Sequence, residues 1–245
     1  MNKEFWNSVW KTQNLDYPPN YIPPAFNCWK EFLPQDKNLS CLEVGCVPGR
    51  LLIFLNKIYG YHIIGVDYAE STHNVEKNFE MNNIHDYHLY NQDFRDLSTE
   101  IKADIVISVG FIEHFTDYKN IIVKHTKHLK ENGLLIITIP NFRFFQYYLH
   151  RIFDKMILQN HVLEIMNPKL IRSILLDCDL KIQECRYYGT FDYWCDTIPN
   201  TKIKRLLRMI LLKITWKLKR LLTILNLEDM PNRFLSPHIV CIARK

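Results

Sequence analysis

The 245-residue chain is 47% hydrophobic and 23% charged, with 7 Gly and 11 Pro. That composition excludes a disordered or low-complexity protein and favours one large α/β domain over two. No apolar run approaches the ~18 residues of a membrane span, and the N-terminal MNKEFWNSVWKTQ lacks the apolar centre of a signal peptide, so a cytoplasmic location is expected.

Residues 1–38 carry Trp6, Trp10 and the proline-rich YPPNYIPP. They read as a helix and a rigid loop, a lid over the strand ends of the domain. From 39 to 142 short apolar strands alternate with amphipathic helices. Ser40–Cys46 is the first strand. A helix comes next with Leu51, Leu52, Leu55 and Ile58 on one face, stopped by Gly60. Tyr61–Asp67 is the second strand, Ser71–Asn83 a helix, and Tyr87–Asp93 and Ala103–Val109 the third and fourth strands. Asp117–Leu129 is a helix ended by Gly133, and Leu134–Pro140 the fifth strand. Repeated β-α-β units imply a doubly wound, mostly parallel sheet, whose ligands bind beyond the carboxyl ends of the strands.

Acceptor-side elements are expected over 143–200. Asn167 caps a helix that has Pro168 in its first turn. Leu180–Gly189 and the C-terminal 236–245 alternate like strands, and pairing them antiparallel would close a seven-stranded sheet. A basic insertion then occupies 201–230. The 7 cysteines form no C-x-x-C pair and are odd in number. They read as thiols of a reducing compartment and not as a disulfide framework or zinc site. His125 and His128 lie three apart on a helix, but no carboxylate or Cys motif accompanies them, so no metal is expected.

Glu43-Val44-Gly45-Cys46-Val47-Pro48-Gly49 joins the first strand to the first helix. Such a glycine turn admits a ligand close to the backbone at a helix N-terminus, and it lacks the Lys-Ser/Thr of a phosphate-binding loop. Asp67 ends the second strand, where an acid can accept from ribose hydroxyls. Asp93-Phe94 offers a polar side chain and an aromatic face after the third.

LEVGCVPG, GVDYAE, NQDF, ADIVISVGFIEHF and LKENGLLIITIPN occur in that order. The ordered set resembles the class I S-adenosylmethionine-dependent methyltransferases over residues 39–142. The pattern is nearest the small-molecule branch, including quinone O-methyltransferases and methyltransferases of polysaccharide clusters. EHF after the fourth strand and the stretch His161–Leu170 point that way.

The resemblance implies S-adenosylmethionine as cofactor and a role for each matching residue. Glu43 would organise the turn and reach the methionine amine. Gly45, Cys46 and Gly49 would cradle the methionine and ribose. Asp67 would hold the ribose hydroxyls and Tyr68 would pack on the adenine. Asp93 would accept from the adenine amine, with Phe94 supporting it. Val109 and Gly110 would line the methionyl end. His114 and His161 are the candidate catalytic groups, each weighed against a structural role. Asn141, Arg143, Tyr147 and Tyr148 are candidates for the acceptor pocket. The family has a small residue, most often Gly, where this chain has Val47. A β-branched residue suits positive φ poorly, so either the turn takes a negative φ there or the pocket is altered.

The implied reaction is methyl transfer to a small molecule, glycan or lipid-linked intermediate, most readily at oxygen. A nucleic-acid or protein methyltransferase, and a non-catalytic binding protein of the same fold, are the alternatives. The formal charge of +5 is concentrated in Thr201–Asn226, which holds Lys202, Lys204, Arg205, Arg208, Lys213, Lys217, Lys219 and Arg220 and no acid. Ile203, Leu207, Ile210, Ile214, Leu218, Leu221 and Leu225 recur there at helical spacing. The segment reads as a helix packing on its own domain or a second copy, as an anionic membrane contact at the periphery, or, third, as an RNA-facing helix.

Overall fold

The computed structural model describes residues 3–12, 15–18, 20–193 and 201–245. Seven strands form one sheet: β1 (Ser40–Val44), β2 (His62–Asp67), β3 (Tyr87–Asn91), β4 (Ala103–Val109), β5 (Leu129–Pro140), β6 (Lys181–Tyr188) and β7 (His238–Arg244). Their order is β3-β2-β1-β4-β5-β7-β6. The first five are parallel, and β7 pairs antiparallel with both β5 and β6. This is the doubly wound, mostly parallel seven-stranded sheet the sequence implies, closed by the terminal hairpin.

Helices flank it: α1 (Lys3–Thr12), α2 (Phe26–Trp29), α3 (Arg50–Tyr59), α4 (Thr72–Met81), α5 (Tyr118–Lys127), α6 (Phe144–Phe153), α7 (Lys155–Gln159), α8 (Pro168–Leu176) and α9 (Lys202–Ile224). The period-2 alternation of a strand divides the core between two faces. Leu42, Val44, Val106 and Ile137 pack with Ile121 and Ile122 of α5 and Ile171 of α8. Cys41, Ile105, Ile107 and Ile136 face the other way, against Leu51 and Leu55 of α3 and against Trp29.

Local signals act as their chemistry requires. Gly60 ends α3 at φ 77, its N–H donating to the Asn56 carbonyl. The Asn167 side chain accepts from the Lys169 N–H, with Pro168 opening α8. The fifth strand begins earlier than expected, at Leu129 and not Leu134. α5 stops at Lys127, and Asn132 at φ 60 bends the chain within the strand. Leu129 is thus a strand residue, not the end of the helical stripe.

The cysteines need a correction too. Register places Cys185 of β6 opposite Cys241 of β7, and the two form a disulfide with Cα atoms 4.0 Å apart. Cys28, Cys41, Cys46 and Cys178 are free thiols. Cys195 lies outside the described residues. No helix among the described residues is long and apolar enough to cross a membrane.

β1 pairs with β2 on one side and β4 on the other, Val44 standing opposite Val66 and Ser108. The chain reverses its direction of winding there, which opens a crevice at the strand ends. Asp67, Val109 and the glycine turn converge on it.

Candidate active site

A cavity of about 550 Å³ opens over those strand ends, within the roughly 300–1,000 Å³ of small-molecule sites. Of the residues the motifs single out, Gly45, Asp67, Tyr68, Val109 and Gly110 line it, and Val47 does so as well. The turn has positive φ at Gly45 (78) and Gly49 (88) and not at Val47. A β-branched residue is therefore accommodated without left-handed backbone, and the Val47–Pro48 bond is cis. Asp67 holds the turn in place: its Oδ2 accepts from Val47 N at 3.2 Å and its Oδ1 from Ala69 N at 2.9 Å. Burial raises the Asp67 carboxyl, with those backbone donors opposing.

Five of the implied cofactor residues stand behind this wall and not in it. Glu43 is buried in β1. Its burial, with Asp67 next, raises its carboxyl well above the usual range, and its Oε2 has no hydrogen-bond partner among the described residues. Cys46 turns its sulfur toward Gly65, where a Cβ would lie 2.8 Å away. Gly49 packs against Val75 and Phe79 of α4. The Asp93 carboxylate is engaged by Arg95, at 3.1 Å from Nε and 2.7 Å from Nη2, and the Arg95 side-chain bond holds it below the ordinary range. Phe94 is 3% exposed and packs in the core against His125 and His128, ring centroids 4.8 and 5.3 Å away. Those two histidines are fully buried, and each Nδ1 meets a backbone carbonyl, of Ile121 and Ile101 respectively.

At the far end of the cavity the structure assembles a cluster that spacing along the chain does not reveal. The Val162 N–H donates to the Glu113 carbonyl at 2.7 Å. This bond ties the segment after α7 to the 3-10 turn Ile112–His114 that succeeds β4. His114 and His161 meet with ring centroids 4.5 Å apart, and Trp6 of α1 covers His114 at 4.3 Å. The ligating atoms of Glu113, His114 and His161 all lie within 4.8 Å of one another, close enough to hold a metal ion in common. His114 Nδ1 faces the Asn160 carbonyl at 3.2 Å and Nε2 the Gly110 carbonyl at 3.0 Å. His161 Nδ1 faces the Ile157 carbonyl at 2.6 Å. That contact assigns the His161 proton to Nδ1 and leaves the Nε2 lone pair available.

Burial lowers His114 to about 3, the neighbouring His161 contributing, and lowers His161 to about 4. Burial raises Glu113 to about 8, and both of its carboxyl oxygens are buried without a partner among the described residues. All three groups are therefore uncharged at neutral pH. The sequence motifs do not single out Glu113. The only signal for it is its place beside His114 in EHF.

Trp6, Asn7 and Trp10 of α1 line the cavity on one side, and Phe142, Ile157 and His161 line it on the side after β5. Asn141 is fully buried and its amide donates to the Ser236 and Arg233 carbonyls. Arg143, Tyr147 and Tyr148 face a separate apolar groove with Phe145 and Phe234.

The groups at this crevice fit S-adenosylmethionine. Asp67 suits paired hydroxyls and the mainly apolar wall suits an adenine and the alkyl arms of a sulfonium, with Glu43 behind the turn holding an unpartnered buried oxygen. Comparison with known proteins agrees. The chain is 25% identical over 154 residues to the ubiquinone biosynthesis O-methyltransferase of Rickettsia akari, covering 60% of this chain and 61% of that protein. It spans about three fifths of the length of the curated relatives it matches. Among solved structures it is similar to phosphoethanolamine N-methyltransferase 2 of Haemonchus contortus in complex with S-adenosyl-L-methionine, with a TM-score of 0.63 and 15% identity. That match covers 98% of this chain and 56% of that one. The cyclase SpnF is also similar, with a TM-score of 0.61, 11% identity and coverage of 99% and 91%, so the fold by itself does not fix the reaction. Residues 27–177 match the family model described as a methyltransferase domain, and the chain belongs to the class I S-adenosylmethionine-dependent methyltransferase family.

Proposed function

We propose that the chain transfers the methyl group of S-adenosylmethionine to a hydroxyl oxygen of a small molecule, glycan or lipid-linked intermediate held between α1 and the segment after β5. The observation that carries this reading is the Glu113–His114–His161 cluster in the cavity, with the His161 Nε2 lone pair available. Similarity to relatives named O-methyltransferases supports oxygen as the acceptor atom.

The cofactor supplies an electrophilic methyl on a sulfonium. Asp67 would hold its ribose, Glu43 would organise the turn from behind and reach the ammonium through water, and Val109 and Gly110 would line its methionyl arm. Tyr68 would lie along the adenine, while Cys46, Gly49, Asp93 and Phe94 support that pocket from behind. With the cofactor bound, its methyl would pass to the acceptor oxygen, an O–C bond replacing the S–C bond and a neutral sulfide being left behind. Most of the acceleration comes from positioning. The hydroxyl must also lose its proton, and His161 Nε2 is placed to take it while His114 packs against the His161 ring. A cation brought into the cavity favours ionised Glu113, and that carboxylate in turn stabilises a protonated imidazole beside it.

The test is transfer of labelled methyl from S-adenosylmethionine into an extract of a strain lacking the gene. Label is expected in a small molecule, glycan or lipid. His161→Gln should lower the rate by about 10²–10⁴-fold with cofactor affinity unchanged by calorimetry. Label entering only nucleic acid or protein would overturn the acceptor class. Cofactor binding without any transfer would favour a binding protein, and no binding near millimolar cofactor would overturn the reading altogether.

A further inference from the structure

We propose that α9 docks this protein in the plane of an anionic lipid bilayer, an inference independent of the reaction assigned above. The 23-residue helix is about 34 Å long at 1.5 Å per residue. It touches the body through one side only: Arg208, Leu211, Leu212, Thr215, Leu218 and Leu222 are its half-buried or buried residues. Lys219 bonds Asp192 at 2.7 Å and Lys204 donates to the Ile152 carbonyl at 3.1 Å, which fixes that side inward.

Leu218 apart, the apolar stripe visible in the sequence faces outward. Ile203 is 73% exposed, Ile214 56% and Leu221 50%, and Leu207, Ile210 and Leu225 are exposed as well. At 100° per residue, Lys202, Lys213, Lys217 and Arg220 fall along one flank of this stripe, all exposed. Apolar side chains bordered on one flank by cations suit a helix lying at the headgroup boundary with its basic residues reaching outward. Beside the helix, Ile152 of α6, whose carbonyl Lys204 bonds, is exposed as well.

Charge selects the occupant. Thr201–Asn226 holds eight cations and no acid. A two-fold pairing of two such helices would set like charge against like. RNA would satisfy the cations but leave the stripe in water. An anionic bilayer answers both.

The experiment is co-sedimentation of the full chain with vesicles of phosphatidylcholine alone and of phosphatidylcholine mixed with phosphatidylserine, at about 0.1 M and 1 M salt. Over that range the screening length falls from about 10 Å to 3 Å. The protein should pellet with the mixed vesicles at low salt and far less at high salt or with phosphatidylcholine alone. Lys202→Gln, Lys213→Gln, Lys217→Gln and Arg220→Gln together should weaken anionic binding by up to about 1,000-fold, from the attraction of each cation to an anionic surface. A separate variant, Ile203→Ser, Ile214→Ser and Leu221→Ser, should weaken it about 10-fold. All seven positions are exposed, and circular dichroism with thermal unfolding checks that both variants keep the fold. Failure to pellet with mixed vesicles overturns the proposal. So does equal binding to both vesicle types, preference for RNA over vesicles, or a dimer in sedimentation velocity that the serine variant abolishes.

Discussion

Replacing Gly45 by alanine tests how the glycine turn is built. Gly45 holds φ +78, and a Cβ there would lie 2.6 Å from Phe111 Cδ2 and 3.3 Å from its Cγ. The change carries two costs. An L-residue in left-handed backbone costs about 1–2 kcal/mol, and overpacking a filled site costs about 1–3 kcal/mol. The Phe111 ring cannot simply swing aside, because it packs against Phe94 and Phe115 with centroids 5.9 and 4.9 Å away. Gly45→Ala should thus lose about 2–5 kcal/mol, the sum of the two ranges. Urea denaturation of the wild type, Gly45→Ala, Phe111→Leu and the double variant separates the parts. Removing the ring should relieve the overpacking share and leave the backbone share. A Gly45→Ala cost below about 1 kcal/mol would refute the left-handed turn. Additive single effects would show that the Phe111 ring is not the obstacle.

Asp67→Ala should weaken S-adenosylmethionine binding by about 1.5–3 kcal/mol, the range for hydrogen bonds to a charged group. Calorimetry checks it, with Asp67→Asn as the variant that keeps one oxygen as acceptor for either Val47 N or Ala69 N, and unchanged affinity in both would remove Asp67 from the ribose site. Acid should destabilise the fold early. Burial keeps His125, His161 and His238 neutral down to about 4 and His114 to about 3, against an ordinary 6.5. Between 6.5 and 4 the unfolded chain binds more protons than the folded one, so stability present above 6.5 is lost as pH falls through that window. Urea midpoints that stay level from pH 7 to pH 5 would contradict it. Glu113 acts in the opposite sense: raised to about 8 from 4.5, it favours the folded state fully below 4.5 and loses that contribution as pH rises through 8. Glu113→Gln should flatten the alkaline side of the stability profile measured the same way.

How much of this is legible in the sequence depends on the range of each interaction. Buried parallel strands are short apolar runs with turn signals between them, so β1 to β4 stand nearly where the periodicity puts them. Gly45, Asp67 and Val109 reach the cavity because each ends a strand, a property of local sequence. Phe94 and Asp93 differ because their partners decide their roles. Arg95, two residues on, occupies the Asp93 carboxylate, and histidines of the α5 end draw Phe94 into the core. Neither competition has a period to read. Cys185 and Cys241 pair through a register 56 residues apart in the chain, and an odd count of thiols hides one good pair. The Glu113–His161 meeting rests on long-range contacts, among them the bond from Val162 N to the Glu113 carbonyl and the contact of His114 Nδ1 with the Asn160 carbonyl. α9 makes the same point in reverse. Its apolar stripe is plain in the sequence, and burial would ordinarily be inferred from it. Yet the face that packs is the neighbouring one, around Thr215 at 3% exposed, held by Lys204 and Lys219. Periodicity identifies an apolar face but not what covers it, and here the body of the protein covers the other one.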